Sequence, residues 1–447
     1  MNVPVPTTKM RHTPSGEPVP ELLLPAGNTE RLHTALLYGA DAVYLGGLSG
    51  NLRSATEGFA PAELVRAVKA AEARDARVYY CLNSLPLQSD MAALPEAIEA
   101  ASAAGVHAFI IADPGVIRLA LRYAPHIPIH LSTQANTTNA EAVAFWRDMG
   151  VSRVNLAREL SCRDIHAIRK ALPAMELEVF LHGAMCLAVS GQCLLSAWLN
   201  NRSANKGRCT QPCRFAYRGM HSQASPCLEG VALVVEEAWR DGEPLWEISR
   251  NEGYSEFWAP DDLCLLPYLP WFITNRVTSL KVEGRTKSSS YVAYVADTYR
   301  AALDAAAKGG AFINAGAFLP DLVRTASRPL STGFFLPHTR KPVGANVPVD
   351  ARPLLARVET MARSDGSAWH VEVRGKWDSS QPVEIMLPGM RRPVLAAGSY
   401  GFENHRGEAA NLVNNGTKAI LFACIDGLEP GVFIRAAGAG QGKPMAA

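Results

Sequence analysis

The chain has 447 residues, 48% of them hydrophobic and 19% charged, with a formal net charge of +2. That composition belongs to folded globular proteins and excludes both an extended disordered chain and a multi-span membrane protein. Near neutrality also excludes a uniformly basic surface, so any contact with nucleic acid must come from a local patch.

The opening stretch, "MNVPVPTTKMRHTPSGEPVP", has no apolar core of a secretory signal, and no later run approaches the roughly 18 apolar residues of a spanning helix. A flexible N-terminus over 1–20, a cytoplasmic location and no membrane contact are expected. Thiols stay reduced in that compartment, so clustered cysteines point to metal binding or catalysis before structural disulfides.

From Glu21 onward short apolar runs alternate with amphipathic stretches. The candidate strands are "ELLLPAG" at 21, "DAVYLGG" at 41, "RVYYCLN" at 77, "AFIIADPG" at 108, "PIHLSTQAN" at 128, "RVNLAREL" at 153, "LEVFLHGA" at 177 and "SLKVEGR" at 279. Between them lie helical patterns such as "AELVRAVKAAEARD" and "CRDIHAIRKAL", with apolar residues recurring at three and four. Parallel strands need such crossovers, so the sequence predicts the α/β class and a (β/α)8 TIM-like barrel over 21–310. An open doubly wound sheet is the alternative, and no Gly-rich dinucleotide fingerprint follows the first strand.

The interval of about 183–278 between the seventh and eighth strands is too long for a simple connection and reads as a cysteine-rich insertion. After the helix "SSSYVAYVADTYRAALDAAAKGG" comes a Pro-containing linker, 311–345. Alternating runs such as "AWHVEVRGKW" and "GVFIRAA" then predict a small antiparallel β-domain over 346–437, followed by a disordered tail at 438–447.

A barrel of this kind carries its site at the C-terminal ends of the strands. Those ends hold Asn83, Asp113, Gln134, Asn136, Arg158, Glu159, His182, Glu283 and Arg285. Asp113 precedes a proline, as a helix cap does. Five of the others are candidate catalytic residues. Gln134 and Asn136 can hold a carboxylate or a base edge, Arg285 can clamp a carboxylate of a small-molecule donor, and His182 or Glu283 can move a proton. For Glu283 with Arg285 an ion pair closing the barrel is the structural alternative, and for His182 a core histidine.

Four of nine cysteines fall in "HGAMCLAVSGQCLLSAWLNNRSANKGRCTQPCR": Cys186, then Cys193 after six intervening residues, Cys209 after fifteen more and Cys213 after three. The C-x-x-C pair of zinc ribbons is absent, and four thiolates from one loop-rich segment suit an iron-sulfur cluster, with zinc as the alternative. Buried free cysteines in an apolar helix would explain Cys186 and Cys193 but not Cys209 and Cys213, whose surroundings are polar. Cys227 and Cys264 are reserve ligands, either of which can replace Cys213.

The same segment is basic. Arg202, Lys206, Arg208, Arg214 and Arg218 meet no acidic residue from 201 to 221, and Trp198, Phe215 and Tyr217 are interleaved with them. Cations neutralise phosphates while rings stack on unpaired bases, which makes Arg202, Lys206, Arg208 and Arg214 the candidate RNA contacts. A solvated loop with several arginines is the plainer reading.

The stretches "ELLLPAGNTERLHTALLYGADAVYLGG", "HLSTQANTTNAEAVAFWRDMGVSRVNLARELS", the cysteine segment and "SLKVEGRTKSSSYVAYVADTYRAALD" resemble the collagenase-like peptidases of unknown catalytic type, over about 21 to 440. Segment order, length and the C-terminal β-domain are most similar to the branch that acts on tRNA uridine. The resemblance implies oxygen-independent 5-hydroxylation of a wobble uridine, with prephenate as hydroxyl source, tRNA as partner, and a 4Fe-4S cluster held by Cys186, Cys193, Cys209 and Cys213. The family also implies alternatives: a peptidase, hydroxylation of rRNA or a ubiquinone precursor, or a non-catalytic RNA-binding subunit. No G-x-S-x-G elbow and no H-E-x-x-H occurs to support the peptidase. The oligomeric state is left open.

Overall fold

The computed structural model describes residues 11–437 except 49, 52–57, 187, 201, 207, 215, 218–232, 237–243, 249, 252–253, 257–259, 309–313, 327, 338, 348–351 and 405. The segments 1–10 and 438–447, read as flexible from the sequence, lie outside the described residues.

All eight expected strands form: β1 (Glu21–Pro25), β2 (Ala42–Gly46), β3 (Arg77–Leu82), β4 (Ala108–Ile111), β5 (Ile129–Leu131), β6 (Arg153–Asn155), β7 (Glu176–Ala184) and β8 (Ser279–Val282). Each is parallel to the next, and β8 pairs with both β7 and β1, so the sheet closes into a (β/α)8 barrel. β1, β2 and β4 are buried at every residue. Strands covered on both faces have no use for a polar alternation, which is why they read as continuous apolar runs.

The crossover helices are α1 (Thr29–Leu37), α2 (Pro61–Glu72), α3 (Leu94–Ala103), α4 (Pro114–Tyr123), α5 (Ala140–Asp148) and α6 (Cys162–Ala171). Side-chain caps start several of them: Asn28 accepts the Arg31 amide, and Ser161 with Asp164 forms a capping box. Asp113 is the N-cap of α4, accepting the Val116 amide at 3.1 Å, with Pro114 at the first helical position.

The barrel interior divides into two halves. From β1 to β4 it is filled by Leu23, Ala42, Tyr44, Tyr79, Cys81, Ala108 and Ile110. From β5 to β8 it holds His130, Arg153, Glu178 and Lys281, all buried. Arg153 donates to Glu21 at 2.7 Å and to Glu176 at 2.8 Å, Tyr79 donates to Glu21 at 2.6 Å, and Lys281 donates to Glu178 at 3.0 Å.

After β7 the chain leaves the barrel and returns through the strand Asp262–Cys264, antiparallel to the far end of β7, and through helix α8 after an intervening helix α7: α7 is Leu195–Asn200 and α8 Leu269–Thr274. Beyond β8 come α9 (Ser289–Ala307) and α10 (Ala315–Thr325). The stretch 311–345, expected as a linker, thus contains α10 and two short strands, Leu330–Ser331 and Pro342–Val343, which extend the barrel sheet from Asp262–Cys264. The prolines and glycines there mark turns between short elements. Within the expected flexible N-terminus, His12 bridges Pro18 and Val19 is buried.

The C-terminal domain is an eight-stranded antiparallel sheet, with Trp377, Tyr400 and Phe402 forming a ring cluster in its core. It docks on α9 and α10 through buried charges. Asp297 of α9 accepts the Gly389 amide at 2.6 Å and the Arg392 guanidinium at 2.6 Å, while Arg435 donates to Asp321 of α10 at 2.7 Å.

Breaking a buried ion pair by removing one partner leaves an uncompensated charge. Arg153→Met, which strands Glu21 and Glu176, should therefore lower stability by about 3–5 kcal/mol, read as a drop in the urea midpoint. A midpoint equal to the parent's would show that the interior charges are neutralised by protonation instead.

Candidate active site

The C-terminal ends of the strands open into a cavity of about 540 Å³. Its wall takes Tyr44 from β2, Cys81 and Asn83 at the end of β3, Gln134 after β5, Arg158 after β6, Phe180 and Ala184 from β7, and Lys281, Glu283 and Arg285 from β8 and the turn after it. Cys186, Cys193, Cys209 and Cys213 line the same cavity. None of the four is in a disulfide, and all are half-buried. The structure thus brings together Gln134, Glu283, Arg285 and the four cysteines.

Gly183 is what permits the approach. Its φ is +109°, and a Cβ there would lie 2.6 Å from the Glu283 carbonyl oxygen, so only glycine lets the ends of β7 and β8 come so close.

His182 and Asn136 are placed elsewhere. The pairing of β7 with β8 slips by one residue, Phe180 facing Lys281 but His182 facing Val282. Such a bulge reverses the alternation that would have put His182 on the same side as Phe180. His182 points instead to α9, 2% exposed, with Nδ1 3.1 Å from the Tyr299 hydroxyl. Burial, with Lys287 adding, pulls its pKa down to about 3, so it is neutral near pH 7 and ill-suited to carry a proton. Asn136 ends the short turn Thr133–Ala135 in the left-handed region, φ +53°, and lines neither this cavity nor its neighbour.

The sulfurs sit in repeated turns. Cys193 Sγ accepts the Leu195 amide at 3.4 Å, Cys209 Sγ accepts the Gln211 amide at 3.4 Å, and the Ala188 amide donates to Cys186. Burial pushes the Cys186 thiol up, while the Ala188 amide opposes that and neighbouring Cys193 adds to it. A bound cationic group reverses such a balance and fixes the thiolates. Cys264 makes the same turn with Leu266 but is fully buried beside Tyr299 at 3.5 Å, outside the cavity. The turn alone therefore does not mark a ligand; the shared cavity does. Cys213 lines that cavity and Cys264 does not, whereas Cys227 lies outside the described residues.

Among the described residues no group of three or more His, Cys, Asp or Glu side chains is gathered tightly enough for one metal ion. A mononuclear zinc needs its sulfurs about 2.3 Å from a single point, whereas a polynuclear cluster takes one thiolate per iron and spreads them. Four thiols lining one cavity supply the number of donors that a four-iron cluster takes.

Charge around the cavity is one-sided. Arg158, Lys281, Arg285, Lys287 and Arg328 line it, against Glu283 as the carboxylate among the described residues. Arg285 is 5% exposed and donates to Asn51, and Arg158 lies 3.8 Å above the Phe180 ring while donating to the Ala184 carbonyl at 2.8 Å. Sequence reading missed Lys281, Cys81 and Arg328. The signal for Lys281 was there: a lysine inside a buried strand run must face charge or a cavity. Cys81 gave no comparable cue.

The cysteine segment is tied back to the barrel loops. Ser190, φ +45°, donates through its amide to Glu159 at 2.7 Å, Gln192 donates to the Gln134 carbonyl at 2.8 Å, and the Leu85 amide donates to the Asn205 carbonyl at 2.9 Å. Of the basic candidates, Arg202 and Arg208 are exposed, while Lys206 pairs with Asp90 at 2.8 Å. Only the backbone of Arg214 is described, and Phe215 and Arg218 lie outside the described residues. No helix among the described residues is long and apolar enough to cross a membrane.

A closed (β/α)8 barrel with a cavity lined by four thiols and five cations at the C-terminal ends of its strands defines a TIM-barrel protein with a candidate site at that face. The chain belongs to Peptidase family U32, which matches residues 27–344. It is 34% identical over 424 residues to tRNA hydroxylation protein P of Escherichia coli, covering 87% of this chain and 90% of that one. To tRNA hydroxylation protein P of Helicobacter pylori it is 42% identical over 287 residues, 64% of each chain. A collagenase of Porphyromonas gingivalis is 31% identical over 303 residues, 65% of this chain and 66% of the other.

The placement of His182 has a measurable consequence. Its folded pKa of about 3 lies below the ordinary 6.5, so between those values the unfolded chain binds a proton that the folded chain does not. Stability should therefore fall as the pH drops below about 6.5, by up to about 1.4 kcal/mol per pH unit from this group. His182→Gln should flatten that part of the pH–stability profile; an unchanged slope would assign it to other groups.

Proposed function

We propose that the protein is an oxygen-independent tRNA hydroxylase acting at carbon five of a wobble uridine, with prephenate as the hydroxyl donor and a 4Fe-4S cluster at the barrel mouth. The observation that carries this reading is the convergence of Cys186, Cys193, Cys209 and Cys213 with Arg158, Lys281 and Arg285 on one cavity. The names of the relatives, tRNA hydroxylation proteins, support the reaction class.

Those four cysteines would hold the cluster, which when bound supplies electron transfer or polarises a ligand oxygen. The rest falls to this chain's own side chains. Prephenate is a dianion, and guanidinium groups withdrawn from solvent, as buried Arg285 and half-buried Arg158 are, clamp carboxylates far more firmly than solvated ones. Lys281 adds a third cation from the floor of the cavity. Glu283 provides the carboxylate that can take or return a proton at its Oε atoms.

Proteolysis is less well supported. No histidine lines the cavity among the described residues, so a cysteine nucleophile there has no base beside it.

Protein purified without air should contain about four iron and four sulfide per chain, and Cys193→Ala or Cys209→Ala should abolish both. Stoichiometric zinc without iron in the anaerobic preparation would overturn the cluster. Deleting the gene should remove 5-hydroxyuridine and its derivatives from tRNA nucleosides, and Arg285→Ala or Cys209→Ala should fail to restore them under anaerobic growth. Identical nucleosides in the deletion strain, with casein or collagen cleavage by the purified protein, would establish the peptidase. On binding, Arg202→Gln with Arg208→Gln should reduce the log–log salt slope for single-stranded RNA by about 1.4, roughly 0.7 per phosphate contact.

A further inference from the structure

A second cavity of about 320 Å³ adjoins the thiol-lined one, and Asn83 and Gln134 line both. Their electrostatic characters differ. Five cations line the first, whereas the second is walled by Asn83, Gln134, Gln192, Asn205, Trp146 and Leu85 and has no cation among the described residues. Its acidic residue, Asp113, is committed to capping α4.

Two of these amides are left incomplete. The side-chain oxygens of Asn83 and Asn205 are buried and have no hydrogen-bond partner among the described residues. Asn83 spends its amide nitrogen on the Ser132 hydroxyl at 3.3 Å, so the oxygen is the end left for a ligand. Asn205 is 9% exposed and sits on the short turn Ala204–Lys206, held to the barrel by the Leu85 amide. Buried acceptors without donors are costly, and a ligand that brings N–H groups removes that cost. Trp146 is half-buried against the core and braced edge-on by Phe145 at 5.3 Å, while exposed Leu85 gives an apolar lip.

A pocket of this volume without a cation among the described residues, with amide acceptors and an indole, matches the chemistry of a nucleobase and not that of a carboxylate or phosphate. We propose that this cavity is a nucleobase subsite that receives one unstacked base of the RNA, the shared Asn83–Gln134 wall setting that base against the thiol-lined cavity. The inference rests on the reading that the substrate is RNA and adds where the base is held. Phosphates stay outside, because there is no cation within to meet them.

The test compares binding of the full chain to a uridine pentanucleotide and to an abasic backbone of the same length and charge, at one salt concentration. The parent protein should prefer the uridine oligomer by about tenfold, the scale of one stacked and hydrogen-bonded base. Trp146→Ala and Asn205→Leu, on separate elements, should each remove most of that preference while leaving abasic binding unchanged, and Trp146→Phe should keep it. Far-UV circular dichroism confirms that each variant is folded. Equal binding of the two oligomers by the parent, or a full preference in both folded variants, overturns the subsite. The outcome separates from that of the hydroxylase reading: lost tRNA modification in the deletion strain without base preference rejects only the subsite, and base preference with unchanged tRNA rejects only the hydroxylase.

Discussion

The charge lattice inside the barrel is the constraint on which the site depends. Glu21, Arg153, Glu178 and Lys281 come from β1, β6, β7 and β8 and are all nearly inaccessible. Taking each from water costs several kcal/mol, so the arrangement holds only if every charge keeps its partner, and every partner fixes a strand register. Lys281 is the upper end of the lattice. Its ammonium contacts Glu178 at 3.0 Å, lies 4.5 Å from the centre of the Tyr44 ring and also lines the cavity. The register of β8 that satisfies Lys281 is thus the one that sets Glu283 against Gly183 and Arg285 among the thiols.

Support for that turn extends into the second domain. The Tyr291 hydroxyl of α9 donates to the Glu283 carbonyl at 2.9 Å, and Tyr299 of the same helix holds His182 behind the sheet. Asp297, on the same helix, is the anchor for the Gly389 and Met390 amides and for Arg392 of the β-domain. Burial pushes the Asp297 carboxyl up and Arg392 opposes it, the signature of a charge that needs its partners in place. The β-domain therefore braces the helix that braces the active-site turn. Removing it should loosen Glu283 even though none of its described residues lines the cavity.

The barrel was legible because its evidence is periodic. Eight apolar runs, capped helices and the cysteine segment are signals that a single sequence carries in full, and the four thiols line the cavity at the strand ends. What stayed hidden depends on interruptions of period. His182 seemed to share a face with Phe180 until the one-residue slip against β8 turned it outward. Asn136 is a strand-end amide whose left-handed backbone makes it a turn terminator. The supposed linker after α9 carries short elements, two of them strands that pair with the barrel sheet, and two-residue strands are invisible to alternation. Arg158 was visible as a strand-end residue, but not that its guanidinium stacks on Phe180 with Glu283 opposing the cost of its burial.

A reaction between an anionic small molecule and a neutral base poses opposite demands on one site. Cations that hold carboxylates would also draw in RNA phosphates, which would block the donor and misplace the base. On the proposed function, the molecule would separate the two needs in space. Buried guanidinium and ammonium groups crowd the cavity beside the thiols, while the exposed Arg202 and Arg208 lie on the cysteine segment outside it. Shared by the two cavities are the uncharged side chains of Asn83 and Gln134, which neither attract phosphate nor repel a carboxylate. On the proposed function, an amide wall of this kind would let a base lie close to the donor without transmitting the charge of the backbone that carries it, a task to which lysines or carboxylates at the two shared positions would be unsuited.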